Sequence, residues 1–358
     1  MRNRPLSRHQ IATFSRNVVA ILTLTVSSLA AAQAVPQIGK TEEEGTDGKH
    51  PWRGSTISYG LSSTATTFTP AFELTYNPTV AHRIGLMPEW HFNDTFHVRS
   101  RFFLSQEFTK SDYTNTLNEV ELSDLWLDGV WAGFKEKYSG IKFDANLRLT
   151  FPTSRFSQAQ GRIMTIGPGI NVSRAFPVMT ALIFSYSFRY TYRFNRFATF
   201  QNQGPSIAAC GISGGTVDCP SLTSNGVRTI QMDIIHGPTA VFLPHPKVTF
   251  AVSLFMQYGL MPALAELPPG TDVSLNAGNS GPQWRNFWGS SISVGYQPWD
   301  TVGFTLGAFT FSNQLDSQSQ YIFPLFNRNT VVSLDMSVDI ESFFNNVSPS
   351  KSKPKEKS

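Results

Sequence analysis

Along IKFDANLRLTF, Ile141, Phe143, Ala145, Leu147, Leu149 and Phe151 alternate with Lys142, Asp144, Asn146, Arg148 and Thr150. A period of two belongs to a strand with one apolar and one polar face, and no helix produces it. The pattern recurs in TALIFSYSFRYTYRF, where Leu182, Phe184, Tyr186, Phe188, Tyr190, Tyr192 and Phe194 share a face opposed by Ser185, Ser187, Arg189, Thr191 and Arg193. It returns in Val332, Leu334, Met336, Val338 and Ile340 against Ser333, Asp335, Ser337, Asp339 and Glu341. Val248 to Ala265 is an uncharged run long enough to suggest a membrane helix, yet Val248, Phe250, Val252, Leu254, Met256, Tyr258 and Leu260 alternate there too. It therefore also reads as a strand.

The pattern predicts strands near 54–62, 71–92, 95–106, 122–134, 141–151, 163–175, 180–195, 227–243, 247–260, 285–297, 301–312 and 330–343. Many are about 10 to 15 residues long, which suits tilted strands crossing a bilayer better than the short strands of soluble sheets. Their connections alternate in length. Short ones lie at Asn93-Asp94, Lys135 to Gly140, Phe176 to Thr180, Pro244 to Pro246 and Pro298 to Asp300; long ones lie near 106–123, 152–162, 195–226, 261–285 and 313–329. A soluble β-sandwich would also alternate its faces, but its turns would be of similar length at both ends. Aromatic residues gather at strand ends (Trp90, Phe92, Phe96; Trp131, Phe134, Tyr138; Tyr296, Trp299), as they do at the two interfaces of a membrane.

Composition agrees. Only 15% of residues are charged, while 13% are aromatic, below the charge and above the aromatic content of ordinary soluble domains. Lys and Arg number 29 against 25 Asp and Glu, but Arg2, Arg4, Arg8 and Arg16 fall in the first 34 residues with no acid, leaving 25 against 25. The basic pI of about 9.0 therefore gives no reason to expect a nucleic-acid partner. Residues 1–34 read as an export signal: a basic stretch, the apolar run VVAILTLTVSSLAAA, and Ala32-Gln33-Ala34 as a small-x-small cleavage pattern, with cleavage expected after Ala34. The apolar part is too short to anchor in a bilayer, which takes about 20 residues. Cys210 and Cys219, in the uncharged stretch GPSIAACGISGGTVDCPS, are expected to form a disulfide in an exported loop.

An export signal, alternating strands, short turns at one end and long loops at the other resemble a Gram-negative bacterial outer-membrane β-barrel protein of porin-like type, over residues 54–344. The resemblance implies an all-β fold, a transmembrane antiparallel up-and-down barrel of about 12 strands. Short turns would face the periplasm and long loops the exterior. It also implies contact with outer-membrane lipid and lipopolysaccharide, and insertion by the barrel-assembly machinery. One departure is that Phe343-Phe344, instead of ending the chain, precedes a basic tail. Residues 345–358 are expected to be disordered in the periplasm, and 35–53, with Glu42-Glu43-Glu44, likewise or as a plug.

If the apolar face meets lipid, the other face lines a lumen. Arg83, Glu89, Arg99, Arg101, Asp128, Lys142, Asp144, Arg148, Arg189 and Arg193 come from the early strands, and Asp233, Asp335, Asp339 and Glu341 from the later ones. The expected picture is a positive wall facing a weaker acidic one, with Gly289, Ser291, Ser293, Gly295, Gly303 and Gly307 leaving room between them. A channel for small polar or anionic solutes follows as the leading expectation. Two others stand beside it. Folding the hairpins places Glu89 near Arg99 and Asp128 near Arg148, so paired charges could fill a plugged barrel with a structural or binding role. A lipid-acting enzyme is the other. Outer-membrane phospholipases carry a His-x-Ser-Asn-Gly segment, whereas His236 here precedes Gly237-Pro238 and His245 precedes Pro246-Lys247. His91, His97, His236 and His245 are all expected at the short-turn end. No enzyme activity and no cofactor are expected, and His91 with His97 alone make a weak metal site.

Overall fold

The computed structural model describes residues 50–67, 79–109, 117–203, 211–213, 216–218, 222–263, 282–315 and 320–347, and of residues 200–227 only the backbone. The export signal, Cys210, Cys219 and the lysine-rich tail lie outside the described residues.

Twelve antiparallel strands form a closed barrel. They are β1 (Thr56–Thr64), β2 (Val80–Met87, continued as Glu89–His91), β3 (Phe96–Glu107) and β4 (Val120–Leu122, continued as Leu125–Trp131). Next come β5 (Lys142–Phe151), β6 (Arg162–Phe176), β7 (Ala181–Asn195) and β8 (Met232–His245). β9 (Val248–Met261), β10 (Gln283–Tyr296), β11 (Val302–Asn313) and β12 (Val331–Asp339) complete it. The break in β2 falls at Pro88, which has no N–H to donate, while its carbonyl still accepts from Ser100 N at 2.8 Å. The break in β4 is a one-residue bulge: Leu104 pairs with Leu122, but Arg101 pairs with Trp126. β1 pairs with β2 on one side and with β12 on the other, so the barrel itself has no open edge. The register offsets accumulate to a shear of about 16 residues, which for this strand number means a tilt of about 45° and a backbone radius of about 12 Å.

Several boundaries differ from the sequence reading; β8, for one, begins at Met232 rather than 227. β2 begins at Val80 rather than 71, which makes 65–79 a sixth long connection. β12 ends at Asp339 because its carboxylate accepts a hydrogen bond from Ser342 N at 2.6 Å and caps helix α2 (Ile340–Val347), which replaces the end of the strand expected to reach 343. On the N-terminal side, residues ahead of the expected start at 54 already pack against the barrel: Pro51 O accepts from His91 N at 2.7 Å, and Arg53 reaches Asp94 at 3.0 Å.

The alternation resolves as expected. Ile57, Tyr59, Leu61, Phe184, Tyr186, Phe188, Phe250, Val252, Leu254, Met256, Leu334 and Met336 all project outward and are exposed. So continuous an apolar belt would aggregate in water and is what a lipid-facing wall requires. Trp90, Phe96, Trp131, Tyr296 and Trp299 ring its short-turn end; Phe108, Phe151, Phe194 and Trp284 ring the other. In the turn between β4 and β5, Glu136 accepts from the backbone N–H groups of Tyr138, at 2.8 Å, and Ser139. The Ser139 hydroxyl first, and then those backbone donors, hold its carboxyl below the usual carboxylate range.

On β10–β12 the outward face near the long-loop end is polar, with Ser290, Thr310, Ser312 and Thr330 at most 1% exposed. The segment 320–330 crosses over them. Ser290 Oγ donates to Pro324 O at 2.8 Å, Thr310 Oγ1 donates to Leu325 O at 2.9 Å, and Asn327 Nδ2 reaches Ser312 Oγ at 3.4 Å. Hydroxyls that would lack partners in lipid are thereby satisfied, and the segment turns Tyr321, Phe323, Leu325 and Phe326 outward instead.

Candidate functional site

The inner wall of β3–β7 carries the densest charge. Asp128 on β4 is fully buried and lies in register with Arg99 on β3 and Arg148 on β5. Arg148 takes both carboxylate oxygens, Nε to Oδ1 at 2.6 Å and Nη2 to Oδ2 at 2.8 Å. Arg99 Nε adds a third contact at 3.3 Å. The Arg148 guanidinium also lies 4.3 Å from the ring centre of Trp126, so its planar face is covered as well as its edge. Arg101, two residues along β3, is buried on the same face.

Arg189 joins this group from two strands away. It sits on β7, and β6 between it and β5 presents Gly167 and Gly169 inward. Gly169 is in register with both Asn146 and Arg189, and a Cβ there would come within 2.7 Å of Asn146 Oδ1 and 3.3 Å of Arg189 Nε. Without that atom, Arg189 Nη2 extends across β6 to donate to Asn146 Oδ1 at 3.2 Å. Arg99 and Arg148 thus bind the Asp128 carboxylate, and Arg101 and Arg189 share the inward face around it. This wall carries excess positive charge.

The other charges are distributed differently from the sequence picture of two facing walls. The acids are interleaved with bases. Asp335 on β12 binds Arg83 on β2 at 2.9 Å, across β1, where Gly60 pairs with both and leaves the path clear. Asp233 on β8 binds Arg193 on β7. Lys142 and Asp144 on β5 pair at 3.3 Å. Asp339, which shares the parity of Asp335, caps α2, and Glu341 is buried in that helix. Glu89 is in register with Arg99 as expected, but its carboxylate turns to His91 at 2.8 Å and His97 at 3.4 Å while Arg99 turns to Asp128. His236 is not at the short-turn end: it projects outward from β8 and bonds Tyr186 Oη through Nδ1 at 2.7 Å.

Two groups of lumen residues were missed by the sequence reading. Asp124, in the β4 bulge, accepts from Ser154 N at 3.0 Å, Ser154 Oγ at 2.7 Å and Arg162 Nη1 at 3.1 Å. It thereby fastens the short helix α1 (Arg155–Ala159) to the barrel wall at the long-loop end. Apolar clusters also occupy the inside. Phe255, Phe287, Phe309 and Phe311 pack around Gly289, with Phe255 and Phe309 ring centres 5.7 Å apart; Val241, Leu243 and Ala251 pack near the short turns. Gly289 is therefore covered, not open. Phe287, Phe309 and Phe311 share the parity of Gly289 and Ser291, which is the signal that places them inside. Across the barrel from β5, Gly295, Gly303 and Gly307 face only Ser and Thr side chains, apart from backbone carbonyls, which keeps that wall low.

No family model and no curated protein matches the chain. Among solved structures, an outer-membrane channel from Pseudomonas putida F1 aligns over 83% of this chain and 99% of its own, with a TM-score of 0.47 and 9% identity. The NanC porin aligns over 80% and 98%, with a TM-score of 0.39 and 10% identity. LpxR from Salmonella typhimurium aligns over 80% and 100%, with a TM-score of 0.34 and 8% identity. At these identities the likeness concerns fold alone, so function must come from the lumen's own residues. By its closure, its apolar belt and its two aromatic girdles, the protein is a twelve-stranded antiparallel β-barrel of outer-membrane type.

Proposed function

We propose that the barrel is an outer-membrane channel that passes small anionic solutes along the arginine wall of β3–β7. The observation that carries this reading is the gathering of Arg99, Arg101, Arg148 and Arg189 on one inward face, where Asp128 binds two of them. A wall with excess positive charge in a low-dielectric surround attracts anions and guides them through ordered donors. The low wall of Gly295, Gly303 and Gly307 supplies the space beside it.

Purified protein in planar bilayers tests the reading. It should conduct, and at 0.01 M salt, where the Debye length is ~30 Å, the reversal potential should favour anions. Replacing Arg148 and Arg189 together with Gln should move that potential toward cations. Conductance with an unchanged reversal potential would remove the arginines from the path.

A second reading, a closed barrel with a structural or binding role, is favoured by the buried Phe255 cluster and the sealed Asp128–Arg148 pair. Absence of conductance from folded protein would select it.

A further inference from the structure

At the short-turn mouth of the lumen, His91 and His97 face each other directly across the β2–β3 hairpin. Their rings lie 4.6 Å apart and nearly parallel. Glu89 is two residues from His91 on the same strand, so the pleat aims it to the same inward side. Its Oε1 lies 2.8 Å from His91 Nε2 and 3.4 Å from His97 Nε2, and all three donor atoms fall within 4.8 Å of one another. We propose that Glu89, His91 and His97 hold one divalent transition-metal cation of the zinc class, with a fourth position open to water or to a solute in the lumen.

The geometry suits that chemistry. Zinc takes imidazole nitrogen and carboxylate oxygen at about 2.0–2.2 Å, so donors around one ion lie roughly 3 to 4 Å apart, close to the spread seen here. Two imidazoles and one carboxylate on a rigid frame also match the preference of copper and nickel, and offer little to calcium or magnesium, which take all-oxygen shells.

The frame is held on both sides. Asn93 Oδ1 accepts from the N–H groups of Thr95 at 2.8 Å and Phe96 at 2.6 Å, which fixes the turn between the histidines. Ser55 Oγ accepts from Glu89 N at 2.9 Å and donates to Glu89 O at 3.1 Å. Gly54, at φ +83°, gives the carboxylate its room, since a Cβ there would come within 3.2 Å of it. The two nearby cations do not occupy Glu89: Arg53 binds Asp94 at 3.0 Å and Arg99 binds Asp128 at 3.3 Å. The three side chains are 14–19% exposed, sheltered yet within reach of an ion arriving through the lumen.

Zinc chloride titrated into folded, full-length protein in detergent and followed by calorimetry provides the test, and it is independent of whether the pore conducts. One equivalent should bind. His91→Gln and His97→Gln should each weaken binding at least about tenfold, and Glu89→Gln, which keeps the shape and removes the charge, should weaken it too. His82→Gln, altering an outward histidine bonded to Gln106, should leave binding unchanged. Heat-modifiable gel mobility confirms that each variant is folded. No binding by the parent protein, or one-equivalent binding that survives in the His91→Gln, His97→Gln double variant, would overturn the proposal, as would equal affinity for calcium.

Discussion

Arg148 holds both oxygens of the Asp128 carboxylate, at 2.6 and 2.8 Å, while its guanidinium face lies on Trp126. The pair is buried, and Arg99 binds the same carboxylate, with Arg101 and Arg189 on the same inward face. The Asp128 carboxylate therefore offsets repulsion among the arginines as well as binding two of them.

Asp128→Asn should be destabilising, by about 3–5 kcal/mol, because it leaves buried arginines without their counter-charge. Denaturant unfolding followed by tryptophan fluorescence measures this. Adding Arg148→Gln to Asp128→Asn should restore much of the loss, since removing both partners is far milder than removing one.

Gly169→Val should push Arg189 away from Asn146 while the barrel stays folded, because the new Cβ enters the lane that Arg189 uses. In bilayers the anion preference should fall. Gly295→Val, whose Cβ meets nothing closer than 3.6 Å, should leave that preference in place.

Phe255→Ala should cost about 3–5 kcal/mol in the same unfolding assay, because the stack around Gly289 cannot collapse into the gap. Phe250→Ala, on the outward face of the same strand, should cost much less, since lipid or detergent fills the space.

Asp339→Ala should remove the cap of α2 at a cost of about 1 kcal/mol of helix stability. Amide hydrogen exchange across 340–347 should accelerate, with β12 protection unchanged.

Glu136 has its carboxyl held low by donors in the β4–β5 turn, so its stabilising contribution is present above the unfolded-state carboxylate pKa and is lost as pH falls through the lower folded value. The amide resonances of Tyr138 and Ser139 should shift together in that acidic window. In Glu136→Gln they should not titrate.

The strands and short turns were legible because alternation at period two, read between short turns, also sets register. Asp128 opposite Arg148 and Glu89 opposite Arg99 both follow from counting back from a hairpin. What Glu89 touches was not legible. Its choice of the histidines over Arg99 depends on Asp128 drawing Arg99 to the neighbouring strand. Pairs across long distances were equally hidden. Arg83 meets Asp335 only because the ring closes and Gly60 stands between them. Phe287, Phe309 and Phe311 escaped notice because attention went to the small and charged residues of that face. The parity of Phe309 and Phe311 placed them inside, in an alternation already written in the chain.

The seam between β1 and β12 has a further consequence. Thr56 pairs with Asp339, so the first and last strands become neighbours only after nearly the whole chain is available. Until then the growing sheet has two bare edges, and the loop to be closed is the longest in the molecule, which slows the final step. The Arg83–Asp335 bridge spans that seam. It forms when the ring shuts and at no earlier stage, which makes it a latch whose engagement marks the completed barrel.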